Sequence, residues 1–96
     1  MYIKIYGTDE SILVTVCDRE LIGKTLKGPG LKLEIDKEFY QGELVDAAKV
    51  KAVLMEATTA NIVGDRSIEA AISCGAIDPA CVIDIGGVPH AQMFCV

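Results

Sequence analysis

The chain has 96 residues, 51% of them hydrophobic, and a net charge of −5, which suits one cored domain spanning residues 1–96. Residues 1–51 hold eight of the nine basic residues against nine acids, whereas residues 52–96 set Arg66 alone against Glu56, Asp65, Glu69, Asp78 and Asp84. That balance argues against general nucleic-acid binding, which draws on a basic stripe, and the spaced Lys24, Lys27, Lys32 and Lys37 read as solvated side chains. No apolar run approaches the roughly 20 residues of a membrane helix, and "MYIKIYGTDE" lacks the basic end of a secretory signal, so the expectation is a cytoplasmic protein off the membrane.

In chain order, "YIKIY" alternates with a period of two and predicts a half-buried strand. "GTDE" turns the chain into "SILVTV", a β-branched run expected to be a strand covered on both faces, the pair forming a hairpin. "LKLEI" alternates again, which points Leu31, Leu33 and Ile35 inward, with Phe39 closing the same face. A helix follows in "VDAAKVKAVLMEA", where Val50, Val53, Leu54 and Ala57 recur at helical spacing and Asp46 is the expected cap. A second helix in "DRSIEAAISCG" is bounded by Asp65 as cap and Gly75 as terminator. Between the helices, "TTANIVG" reads as a small, polar loop suited to function. The tail "CVIDIGGVPHAQMFCV" reads as strand, Gly-Gly-Val-Pro turn and strand. The expected fold is α+β, a mostly antiparallel sheet of about five strands with two helices on one face, in the order β-β-β-α-α-β-β.

Four motifs bear on chemistry. "CDRELIGKT" ends like a phosphate-binding loop, yet an anion, Asp18, stands where the first glycine belongs, and "LKGPG" forbids the helix that must rise from Lys24-Thr25. "VGDRS" opens a helix with a glycine, but Asp65 would fill its amides itself. Cys17, Cys74, Cys81 and Cys95 form no C-x-x-C pair; they read as buried reduced thiols, bridged only in a hyperthermophile host. Cys74, Cys81, His90 and Cys95 lack the close ligand pair of a structural zinc site, so no metal and no cofactor are expected. A nucleophilic Cys17 would require His90, the single histidine, to meet it in space.

Taken together, "VCDRELIGKTL", "FYQGE", "ATTANIVGDRSIEAAISCGAID" and "GGVPHAQ" resemble an archaeal family of unknown function, numbered 424 among such domains. The resemblance spans nearly the whole chain. It implies a small stand-alone archaeal protein, encoded near translation genes, and carries over no catalytic role. The matching segments single out Cys17, Asp18 and Lys24 in one loop, Asn61 in another, and His90 and Gln92 near the final turn. We expect these six residues to form one polar surface patch. The leading expectation is a non-catalytic interaction module with a protein or ribonucleoprotein partner in translation. The scarcity of aromatics favours protein over single-stranded RNA. The alternative is a small enzyme or ligand-binding protein using Cys17, Asp18, Asn61 and His90. A homodimer through the final strand "AQMFCV" is a third reading.

Overall fold

The computed structural model describes residues 1–94; Cys95, named above among the thiols, the metal set and the final strand, lies outside the described residues. Among the described residues, eight strands and three α-helices follow one another: β1 (Tyr2–Gly7), β2 (Ile12–Cys17), β3 (Thr25–Gly28), β4 (Leu31–Glu34), α1 (Lys37–Tyr40), β5 (Glu43–Leu44), α2 (Ala47–Leu54), β6 (Thr59–Val63), α3 (Asp65–Ser73), β7 (Ile83–Ile85) and β8 (Val88–Phe94). Six strands form one sheet in the order β5-β1-β2-β6-β8-β7, and β3 pairs with β4 as a separate hairpin.

The α+β class holds, but the sheet is larger than expected and mixed. Its β2–β6 pairing is parallel and the other four are antiparallel. The main correction is at "TTANIV", which is no loop: it is β6, a central strand, with Ala60, Ile62 and Val63 buried. Its first residues are small and polar because Thr59 and Asn61 face away from the helices, while Ala60 and Ile62 face them. Thr58 fixes the parallel register at its start. Its Oγ1 accepts from the Ile12 amide at 2.8 Å and donates to the Ile12 carbonyl at 3.0 Å.

The sheet has two unequal faces. On one, Ile3, Val14, Val16, Ile62, Ala91 and Met93 pack against Val50 and Leu54 of α2 and Ile68, Ala70 and Ala71 of α3. Burying each large aliphatic side chain here contributes roughly 1.5–3 kcal/mol. Asp46 caps α2 as expected, its Oδ1 accepting from the Lys49 amide at 3.0 Å. Gly75, at φ 81, ends α3.

On the opposite face, a second core joins Cys17 and Val63, at the ends of the parallel strands, to Leu26 and Ile35 of the hairpin region, Tyr40 of α1 and Ile85 of β7. The hairpin turns at Pro29-Gly30, with Gly30 at φ 72, as suits proline followed by glycine in a type II turn. "LKLEI" is therefore only half inward. Ile35 is buried and Leu33 partly so, but Leu31 sits beside the turn, beyond the sheet's cover, and is exposed. Helix α1 is too short to satisfy its own last carbonyls, and the sheet does so. Thr15 Oγ1 and Tyr6 Oη donate to the Phe39 carbonyl at 3.1 and 2.9 Å, and Lys4 Nζ donates to that of Glu38. This second cover reaches only part of the face, leaving β6 and β8 uncovered toward Thr59 and Phe94.

Candidate functional site

The two loops that leave the parallel pair β2 and β6 at the same end meet at Asp18. Its Oδ2 accepts from the Arg66 amide at 3.1 Å, and its Oδ1 accepts from the Ser67 amide at 2.8 Å and the Ser67 hydroxyl at 2.7 Å. Asp18 is therefore the acceptor for the first turn of α3, correcting the expectation that Asp65 would cap it; Asp65 is exposed in the first turn and Gly64 is the cap residue. A carboxylate against the positive end of the helix is electrostatically favoured. Gly64 makes the approach possible. It sits at φ 109, and a Cβ there would lie 2.7 Å from both Cβ and Oδ1 of Asp18.

This geometry also answers the "GKT" motif. Residues Arg19–Leu21 form a single 3-10 turn, Gly23 takes φ 81, Lys24 is exposed, and Thr25 opens strand β3 rather than a helix. The first turn of α3 already has its anion, supplied from within the chain.

Cys17 is fully buried, its Sγ donating to the Asp18 carbonyl at 3.1 Å. Burial, reinforced by the negative charges of Asp18 and Glu20, pushes its thiol up to about 12. His90 is one strand beyond Val63, which pairs with Cys17 on one side and His90 on the other. Two strand spacings of about 4.8 Å separate the pair, so the imidazole does not reach the thiol. Half-burial lowers the His90 pKa from its ordinary 6.5.

The six residues expected to share a patch divide into three groups. Cys17 and Asp18 are interior. Lys24 lines a separate depression with Thr25, Glu34, Asp36 and Lys37. Asn61, His90 and Gln92 come together on neighbouring strands of the uncovered face, with Gln92 Nε2 donating to Asn61 Oδ1 at 3.0 Å. The Gly-Gly-Val-Pro turn is shorter than expected: Gly86 and Gly87 alone make it, and His90 lies inside β8.

Two residues of this face were not singled out from sequence: Phe94, 73% exposed, and Ile83, 46% exposed. The signal for Phe94 was strand parity, since inward Ala91 and Met93 require Gln92 and Phe94 to point outward. A cavity of about 290 Å³ lies among Cys81, Ile83, His90, Gln92 and Phe94. Ser67 gave no signal, being 49 residues from the carboxylate it serves. Among the described residues, no three His, Cys, Asp or Glu side chains gather as metal ligands, and no helix is long and apolar enough to cross a membrane.

A family model described as "Protein of unknown function (DUF424)" matches residues 6–96. Among solved structures, the crystal structure of an uncharacterized conserved protein from Methanopyrus kandleri is similar, with a TM-score of 0.79 and 28% sequence identity over 96% of this chain and 88% of that one. No curated protein matches the chain.

Proposed function

The chain belongs to the DUF424 family of proteins of unknown function, and we propose that it is a non-catalytic module that docks a partner protein on the uncovered part of its sheet. The observation that carries this reading is the exposed row on β8 and β7, where Phe94 and Ile83 stand 73% and 46% exposed beside the Asn61–Gln92 amide pair. An aromatic anchor next to hydrogen-bonding amides is the composition of an interface centre.

On the uncovered part of this face stand Leu13, Thr59, Asn61, Ile83, His90, Gln92 and Phe94, none of them Lys or Arg; Lys4, farther along the same face, is turned to the Glu38 carbonyl of α1. A phosphate backbone would find no counter-charge there, which favours protein over nucleic acid. The family resemblance makes translation factors the first partners to seek. Thiol chemistry, the other reading, has less support, because a buried Cys17 with its pKa near 12 holds almost no thiolate at neutral pH and His90 is out of reach.

Affinity capture from native cells tests the module. Phe94→Asp should lose the captured protein by about tenfold or more, while Leu31→Asp, the same apolar-to-charged change at an exposed residue of the hairpin, should retain it. Equal retention by both variants, or no captured protein, overturns the reading.

A further inference from the structure

Strand β7 is too short to cover its neighbour. It pairs with β8 only at Ile83↔His90, Asp84↔Pro89 and Ile85↔Val88, and before Ile83 the chain leaves the sheet through the 3-10 turn Pro79–Cys81. Antiparallel ladders alternate between hydrogen-bonded and non-hydrogen-bonded pairs. Ile85 and Val88 flank the two-residue Gly86-Gly87 turn and form a hydrogen-bonded pair. Asp84 and Pro89 form the other kind, in keeping with the missing N–H of proline, and the Pro89 carbonyl points the opposite way, accepting from Gly64 at 2.9 Å. By the same parity, the N–H and C=O groups of Gln92 and Phe94 point to the side that β7 has vacated. Beside them lies the 290 Å³ cavity edged by Cys81, Ile83 and His90.

Exposed strand edges in natural proteins are commonly blunted by lysine, proline or a bulge. From Ala91 to Phe94 the edge carries no lysine or proline, and the β6–β8 register runs without a bulge. We propose that this notch receives an extended segment of a partner protein, which adds as a strand against Gln92 and Phe94 and seats one apolar side chain in the cavity. The proposal rests on the docking reading above and states its mode.

Charge indicates what kind of segment. Asp78 and Asp84 are exposed on the turn before β7 and on β7 itself; each carboxylate accepts one backbone amide, from Ala80 and Gly87, and among the described residues neither forms an ion pair. The whole chain carries −5. A segment with Lys or Arg flanking alternating β-branched residues matches that field; a second copy would bring the same negative charge. A peptide strand engages such an edge through backbone bonds and one pocket.

The test uses a phage-displayed random dodecamer library selected on the full chain. The expected peptides are rich in Lys, Arg and β-branched residues, weaken as salt rises, and protect the Gln92 and Phe94 amides from exchange. Gln92→Pro removes one edge donor without touching the β6 ladder and should bind the selected peptides about tenfold more weakly than Gln92→Ala, which removes the same side chain but keeps the N–H. If Gln92→Pro fails to fold, N-methylation of Phe94, introduced by ligating a synthetic 81–96 segment at Cys81, makes the same comparison. Peptides that bind both Gln92 variants equally, that protect other amides, or that are never enriched overturn strand addition. So does sedimentation showing a dimer abolished by Gln92→Pro. Phe94-dependent capture from cells that persists in Gln92→Pro would sink strand addition while leaving the docking module intact.

Discussion

Replacing Asp18 with alanine leaves the amides of Arg66 and Ser67 and the Ser67 hydroxyl without their acceptor. With Ser67 fully buried, water does not substitute freely, and the cost should be about 3 kcal/mol in chemical denaturation. Ser67→Ala, which removes one bond and keeps the backbone pair, should cost about 1 kcal/mol. Equal effects would mean that the hydroxyl, not the helix amides, carries the contact. The thiols give a second measurement. Cys81 is exposed, Cys74 intermediate and Cys17 buried with its pKa near 12. Alkylation near neutral pH, read by peptide mapping, should modify Cys81 first and Cys17 only as fast as the protein opens. A Cys17 that reacts fastest and slows in His90→Ala would revive thiol chemistry.

Among the elements, the β3–β4 hairpin is the one that pairs outside the six-stranded sheet. It touches the sheet through Leu26, Ile35 and the close approach of Gly86 to Lys27. Gly86 sits at φ 62, and a Cβ there would fall 2.7 Å from the Lys27 carbonyl oxygen. Gly86→Ala should cost about 1–2 kcal/mol and raise amide exchange in β3 and β4 before it does so in β2 and β6. Uniform loss of protection would make the hairpin part of one cooperative unit. The elements that sequence reasoning recovered are those with local signatures: the alternation of β1, the stripe and cap of α2, and Gly75 after α3. Strand β6 escaped because "TTANIV" is short and its outward residues are polar, so its alternation resembles a loop. The α3 cap escaped for another reason: a nearby Asp65 satisfies every local rule, and nothing near it reveals a better-placed carboxylate, Asp18, 49 residues before the Ser67 it serves. At the candidate site, Asn61, His90 and Gln92 were legible as polar residues among small ones. Their separation from Cys17, Asp18 and Lys24 depends on which face each strand residue takes.

At the scale of the whole molecule, the pH profile of stability has a contribution with a definite sign. Burial lowers the folded pKa of His90 below 6.5, so between the two values the unfolded chain binds the proton and the native chain does not. This part of the stability is present above about pH 6.5 and is lost as the pH falls through that value toward the lower folded pKa. Thermal melts should fall across that window, and His90→Gln should flatten the decline; an unchanged slope would assign it to other groups.

The acceptor for the first turn of α3 resides on the far side of the chain's midpoint, at the end of β2. A synthetic peptide covering 58–76 carries the helical residues but not that carboxylate, and alone it should remain largely uncoiled in water. During synthesis, likewise, Asp18 emerges from the ribosome well before the residues of α3 whose amides it accepts.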